Sequence, residues 1–305
     1  MFDVEVHNIK KTYNKGKVVA VDDVSFSVKK AELFGLIGPD GAGKTSIFRV
    51  LTTLLLPDEG SAKVNGLDIT LHYKEIRKEI GYMPGKFSLY QDLTIEENLN
   101  FFATLFNTTL EENYDLIKEI YVQIEPFKDR RAGKLSGGMK QKLALCCALI
   151  HRPKILFLDE PTTGVDTVSR KEFWEMLKRL KELGITILVS TPYMDEATLC
   201  DRIALIQNGK ILSINTPEQI VEQYNENLYA IRSSKMIKLL DDLRMNEDVK
   251  SCNAFGEYLH ISFKNEKDNS QDNLIQLLKE KNHSEIIIKK IQPSIEDCFI
   301  KLMNS

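Results

Sequence analysis

The chain has 305 residues, 43% of them hydrophobic and 28% charged, with a formal net charge of −3. That length predicts one large domain with a smaller companion, and the near-neutral balance without a dominant basic block gives no argument for a nucleic-acid or anionic-membrane surface. Met1 leads into Asp3, Glu5 and His7 with no apolar run, so no signal peptide is read, and the longest apolar run, 143–150, is far short of the ~20 residues that cross a bilayer, so any membrane role would come from a partner.

Val4, Val6 and Ile9, then Val19, Val21, Val24, Phe26 and Val28, follow a period of two and predict half-buried antiparallel strands. Leu33-Phe34-Gly35-Leu36-Ile37 is continuously apolar, the pattern of a strand covered on both faces. A Gly-rich turn follows, then a predicted helix over 45–56, stopped by Pro57-Asp58-Glu59-Gly60. The stretch 93–150 reads as helical: Thr94 and Glu97 form a capping box ahead of Leu99, Phe101, Phe102 and Leu105, and a second helix is predicted over 116–124. Cys146, Cys147, Cys200, Cys252 and Cys298 show no metal spacing or even-numbered framework, and predict reduced core thiols.

Sheet character returns at 155–158 and 185–189, on either side of a helix with Trp174, Leu177 and Leu180 on one face and Gly184 at its end. Asn208-Gly209 between 203–206 and Ile211-Leu212 predicts a hairpin with a type I′ turn. Thr216-Pro217 marks a boundary. Beyond it the order strand, helix, strand, strand, helix, strand and a last helix predicts a small α+β extension over 216–305, ferredoxin-like in its βαββαβ order.

Gly38-Pro39-Asp40-Gly41-Ala42-Gly43-Lys44-Thr45 fits the phosphate-loop pattern G-x-x-x-x-G-K-[ST], with Ser46 next, between a buried strand and a helix. Glycines let backbone amides turn toward phosphate oxygens, and the helix adds the positive end of its dipole. Lys44 is read as reaching the β- and γ-phosphates of ATP or GTP, and Thr45 as holding Mg²⁺. The strand 155–158 delivers Asp159, a second Mg²⁺-holding candidate, and Glu160, a candidate general base. An acidic pair after a strand is alone an ordinary solvated turn. Downstream of a phosphate loop it stands at the carboxyl end of the sheet, where such folds bind nucleotide.

Leu135-Ser136-Gly137-Gly138-Met139-Lys140-Gln141 opens a helix and forms a second anion-binding device between Lys44 and Asp159. With these motifs, 1–215 resembles the nucleotide-binding subunits of ABC transporters. The resemblance implies an α/β P-loop NTPase core with an antiparallel β subdomain and an inserted α-helical subdomain at about 86–150. It also implies head-to-tail pairing, so that Leu135, Ser136, Gly137, Gly138, Met139 and Gln141 act in trans on the ATP of the opposite subunit. By the same resemblance Tyr13 stacks on adenine, although a core tyrosine is the plain alternative, and Gly164-Val165-Asp166 is the loop that crosses to the opposite site. The wording of 134–142, Tyr193-Met194-Asp195-Glu196-Ala197 and Pro293-Ser294-Ile295-Glu296-Asp297-Cys298-Phe299 looks most like ABC-2 type exporters.

Two positions depart from that pattern. After Tyr82-Met83-Pro84 the family places glutamine and this chain has Gly85; after Ser190-Thr191 it places histidine and this chain has Pro192, which has no donor. The expectation is a transport ATPase on the cytoplasmic face of the membrane, peripheral through a separate permease, paired as a homodimer or heterodimer, with no nucleic-acid partner. Its meeting surface is expected between Gly85 and Phe106, with Phe87 and Tyr90 among its aromatics. The departures leave open an ATP-sensing subunit with little hydrolysis. A soluble nucleic-acid-linked ABC ATPase is the third class, disfavoured because no basic groove or coiled-coil insertion is evident.

Overall fold

The computed structural model describes residues 2–265, 267 and 270–304; Met1 and Ser305, the outer bounds of the two expected domains, lie outside them. The chain divides into two units, 1–220 with 299–305, and 221–298. Residues 216–220 and 299–305, read from the sequence as part of the extension, thus belong to the first unit.

In the first unit β1 (Phe2–Tyr13) and β2 (Val18–Lys29) pair antiparallel, with Val4 opposite Val28 and Val6 opposite Phe26. Val4, Val6, Ile9, Val21, Val24, Phe26 and Val28 bury one face, with irregular register where the spacing widens from two to three, whereas Val19, expected with them, is 47% exposed. β3 (Leu33–Ile37) is buried at every position. α1 (Lys44–Leu51) ends before the predicted 56. Thr53 takes a left-handed φ of 62°, and the amides of Leu54 and Leu55 both donate to Arg49 O, at 2.8 and 3.0 Å. That closure satisfies the last carbonyls and turns the chain away from the helix axis. β4 (Glu59–Val64) and β5 (Leu67–Asp68) complete an antiparallel sheet of order β2-β1-β4-β5.

α2 (Tyr73–Glu79) and β6 (Ile80–Met83) lead into the helical segment. α3 (Ile95–Leu105) carries the predicted capping box: Thr94 Oγ1 accepts from Glu97 N at 3.1 Å and Glu97 Oε2 accepts from Thr94 N at 2.8 Å. α4 (Tyr114–Tyr121) starts and stops earlier than the expected 116–124, giving way to a 3₁₀ turn that contains Pro126, a residue with no amide to continue an α-helical ladder. α5 (Gly137–Leu149) follows.

β7 (Ile155–Asp159), α6 (Thr167–Glu182) and β8 (Thr186–Thr191) return the chain to the core. β9 (Arg202–Gln207) and β10 (Lys210–Asn215) form the predicted hairpin, with Asn208 and Gly209 at φ 49° and 75° as a type I′ turn demands. The six-stranded sheet has the order β10-β9-β3-β8-β7-β6, parallel except for its β10 edge. β3, β7 and β8 are buried along their whole length, which is why they read as continuous apolar runs. α7 (Pro217–Glu222) follows.

The second unit contains β11 (Leu228–Arg232), α8 (Met236–Arg244), β12 (Val249–Phe255), β13 (Tyr258–Phe263), α9 (Ser270–Glu280) and β14 (Ile287–Ile291). Its sheet has the order β12-β13-β11-β14, antiparallel throughout, which is the ferredoxin-like arrangement of a βαββαβ chain. Tyr229, Ile231, Leu259 and Ile261 pack with Leu239, Leu243, Leu274 and Leu278 in a core of its own. α10 (Ile295–Met303) ends the chain.

Beyond α5 in the first unit, His151 stacks on Phe106 with ring centroids 3.7 Å apart, and its Nε2 lies 2.9 Å from Ile80 O. Burial pushes this imidazole below its ordinary range, and the Ile80 bond opposes that only in part. The unfolded chain therefore takes up a proton near pH 6.5 that the folded chain resists, and stability is full above that pH and lost as pH falls through it. His151→Phe should cost stability at every pH, by removing the Ile80 bond. It should also flatten the fall in unfolding free energy between pH 7 and pH 5, by up to ~1.4 kcal/mol per pH unit in chemical denaturation; an unchanged slope would assign the fall to other groups.

Candidate nucleotide-binding site

Parallel register brings the site together. Ile37 is opposite Thr191, Asp159 opposite Ser190, and Met83 opposite Leu158, so the loops after β3, β8, β7 and β6 leave the same edge of the sheet. Residues far apart in sequence thereby meet at the carboxyl ends of the strands.

The loop 38–45 is shaped by glycine. Gly43 has φ 104°, and a Cβ there would run into Ala20 O; a Cβ at Gly38 would run into Ile206 O. Ala42 is buried while Asp40 and Gly41 are exposed at the loop's tip, with Pro39 between. Lys44 is 3% exposed, and its Nζ donates to Gly38 O at 2.8 Å and Pro39 O at 3.0 Å. The same ammonium lies 3.1 Å from Glu160 Oε1. Thr45 and Ser46 are half-buried in the first turn of α1, and Ser46 Oγ lies 3.1 Å from the Tyr13 hydroxyl, which places Tyr13 beside the loop.

Asp159 is 2% exposed and accepts from Ser190 Oγ at 2.5 Å. Burial, with the Asp159 charge second, pushes the neighbouring Tyr82 phenol up to about 12. Glu160 takes a left-handed φ of 50°, unusual for a side chain of its size. Its amide is held by Ser190 O at 3.0 Å and Ser190 Oγ at 3.1 Å, so β8 sets the turn that points Glu160 at Lys44. Gly85 lies against the same strand end: a Cβ there would stand 3.1 Å from Asp159 O. Pro192 follows Thr191, whose Oγ1 accepts from Tyr193 N at 3.1 Å.

The signature segment packs beside a different loop. Ser136 caps α5, its Oγ accepting from Met139 N at 3.3 Å. Leu135 is buried, whereas Ser136 and Gly137 are exposed and Gly138, Met139 and Gln141 are half-buried. A Cβ on Gly137 would stand 3.2 Å from Gly164 O, and one on Gly138 2.8 Å from Ser169 Oγ. Asp166 caps α6 by accepting from Val168 N and Ser169 N at 3.1 and 3.0 Å, and the Ser169 bonds hold its carboxyl below the usual range. The two motifs therefore present two adjacent helix N-termini.

An apolar cavity of about 420 Å³ opens beside the helical segment, lined in part by Met83, Phe87, Leu89, Phe102, Phe106 and His151. Tyr90 stands 51% exposed and edge-on to Phe101. In the sequence Ser190 and Glu196 figure only within segments that resemble the family, with no role of their own, and Thr162 and Arg170 do not stand out at all. Short polar residues at strand ends carry no periodic signal.

The cradle fits a nucleotide: Gly38 and Gly43 leave no room for a Cβ, and its lysine is buried with the amine on loop carbonyls. Thr45 and Asp159 fit Mg²⁺, a hard cation that takes few protein oxygens and leaves the rest to phosphate and water. Among the described residues no group of three or more His, Cys, Asp or Glu gathers as a metal cluster, and no helix is long and apolar enough to cross a membrane.

Residues 21–163 match the ABC transporter family, and the chain belongs to that family of P-loop ATP-binding proteins. Among curated relatives it is 37% identical to the Nod factor export ATP-binding protein I of Rhizobium sp. (strain N33), over 72% of this chain and 73% of that one. It is 39% identical to the doxorubicin resistance ATP-binding protein DrrA of Mycobacterium tuberculosis (strain H37Rv), over 71% of this chain and 66% of that one. It is 42% identical to the probable multidrug ABC transporter ATP-binding protein YbhF of Escherichia coli (strain K12), over 68% of this chain, but spans only 36% of that protein's length. Among solved structures, the dimeric ATP-binding cassette MJ0796 in a post-hydrolysis state bound to ADP and Pi superposes with TM-score 0.64 at 26% identity, over 70% of this chain and 98% of that one.

Gly43→Ala should abolish binding of a fluorescent ATP analogue and cost ~1–3 kcal/mol of stability, through its left-handed φ and the Ala20 collision. Gly184→Ala, also left-handed at φ 90° but with open space around it, should lose stability alone. Equal loss of binding in both would show that strain, not cradle shape, governs the site.

Proposed function

We propose that this chain is the ATP-hydrolysing subunit of an exporter, coupling ATP binding and hydrolysis to movement of a separate membrane permease from the cytoplasmic side. The observation that carries this reading is the presence, in one chain, of a glycine cradle with buried Lys44 facing Glu160 and of a second helix N-terminus capped by Ser136 beside the Asp166 loop. Neither device completes a phosphate cage alone. Head-to-tail pairing with a second copy, or with a related subunit, would set the Ser136 end of one chain over the cradle of the other. The export names of the relatives support the same class of work.

In this mechanism Lys44 leaves the carbonyls of Gly38 and Pro39 for the β- and γ-phosphate oxygens, and Tyr13 flanks the base. Glu160, released from the ammonium, accepts a proton from the water whose oxygen bonds to the γ-phosphorus as the bond from that phosphorus to the β–γ bridging oxygen breaks, leaving ADP and phosphate. Thr45 and Asp159 would hold Mg²⁺, which would supply positive charge beside the phosphates. The 420 Å³ cavity with Phe87, and Tyr90 close by in the chain, offers an apolar seat for the permease. Closing and opening of the pair would then move the permease between states.

A slow version of this cycle is favoured by Gly85 and Pro192. Position 85 lies against Asp159, and 192 follows the strand that holds Glu160, yet neither supplies a side-chain donor. Loss of one charge-stabilising donor typically costs ~10²–10³-fold in rate. Mg-ATP turnover by the purified chain, with Glu160→Gln as the control, tests both points. Turnover at ordinary transporter rates, abolished by Glu160→Gln, is the outcome for a self-sufficient homodimer and would show Gly85 and Pro192 to be harmless. ATP binding with turnover at least ~10²-fold slower is the outcome for a half-site that needs a different partner. Absence of ATP binding would overturn the reading altogether.

A further inference from the structure

We propose that Glu196 is a positioning residue for hydrolysis, tying the loop that follows Glu160 to the turn that carries Pro192. Glu196 is 1% exposed, and its carboxylate is shared among three separate elements. Thr191 Oγ1, at the end of β8, donates to Oε2 at 2.5 Å. Thr162 Oγ1, in the loop leading to Asp166, donates to Oε1 at 2.8 Å. Arg170, on the first turns of α6, donates to the same oxygen through Nε at 3.1 Å and pairs through NH2 with Asp195 at 3.1 Å. Its guanidinium also lies 4.4 Å from the centre of the Tyr193 ring, so it is held from both sides.

A buried carboxylate is tolerated only where its oxygens are saturated by donors, and removing one donor leaves charge uncompensated. Here the donors are Thr162 in the loop after Glu160, Thr191 at the end of β8 just before Pro192, and Arg170 on α6. Thr162 is 1% exposed and Thr191 is fully buried, so neither hydroxyl has water as an alternative. The two loops cannot move independently without unpairing a buried group, which makes them one mechanical piece. Asp166 and Ser190 are carried by that piece, Asp166 capping α6 and Ser190 fixing both Asp159 and the amide of Glu160. Glu196 touches neither cradle nor nucleotide-facing carboxylates in this arrangement. Its action runs through the geometry it imposes on them.

The inference rests on the reading of 164–166 as a loop that serves hydrolysis, and the test separates the two. Rates are taken from single-turnover Mg-ATP hydrolysis, so that a slow site still reports, alongside ATP affinity of the chain and Tm. Glu196→Gln should lower the rate ~10–100-fold, the scale of a small misplacement of reacting groups, with ATP affinity changed less than about threefold. Thr162→Val and Arg170→Lys should each lower it in the same sense, and either combined with Glu196→Gln should add little, since all break one network. If the rate measured well below each Tm is unchanged, or if rate and affinity fall together, Glu196 is a structural residue and the proposal fails. Should Glu196→Gln not fold, Thr162→Val and Arg170→Lys decide the matter by the same criteria. Asp166→Ala checks the underlying reading: no rate loss there overturns the role of that loop, whereas a loss there with none in the other three overturns the Glu196 proposal alone.

Discussion

Strands in a parallel sheet all point one way, so every loop after a strand emerges at one edge and every loop before it at the other. In this chain that constraint, set by the pairing of Ile37 with Thr191 and of Asp159 with Ser190, puts the phosphate loop, the acidic pair and the β8 turn beside one another. The apolar sequences of β3, β7 and β8 exist to satisfy burial on both faces, and the site is a consequence of how they align. Ser190 turns the alignment into chemistry. One hydroxyl donates to the Asp159 carboxylate and accepts from the Glu160 amide, and so fixes one side chain and the backbone of the next residue at the end of the neighbouring strand.

The site carries strain and desolvated charge in a small volume. Glu160 is bent into the left-handed region, Gly43 stands where no other residue fits against Ala20, and Lys44 is buried with its ammonium shared among two carbonyls and a carboxylate. Such features persist because the surrounding sheet over-determines them. A lysine held by replaceable partners is also poised to exchange them for phosphate oxygens, which offer more charge at the same distance.

In the second unit buried polar groups serve the fold instead. His283 is buried between Ser233 Oγ, 3.2 Å from Nδ1, and Asp242 Oδ2, 2.9 Å from Nε2. Lys281 also bonds Asp242, and together these join α8 to the α9–β14 connection. The arrangement resembles a catalytic triad in composition only. Ser233 is 8% exposed and also accepts from Lys235 N at 3.3 Å, so its oxygen is committed to the fold. Its apolar cluster of Tyr229, Ile231, Ile261 and Leu278 is what holds the unit together.

Local chemistry was legible in the sequence. The turn at 38–43 before α1, the capping box at Thr94 and Glu97, the Asn208-Gly209 turn and the helix that opens at Ser136 all form where the sequence predicts them, because each depends on residues within a turn or two of one another. The burial periods of β1 to β3 were equally plain. Helix ends were less so: α1 stops at Leu51 because Thr53 turns left-handed, and α4 stops at Tyr121 ahead of Pro126, neither of which the apolar pattern records. Only tertiary structure decided that Glu160 faces Lys44, that Ser190 holds the Asp159 carboxylate and the Glu160 amide together, and that Glu196 is a buried junction of three elements. Those contacts join residues some 30 or more positions apart in most cases, and a side chain's partners at that separation are set by strand register and packing, which no local stretch of sequence encodes.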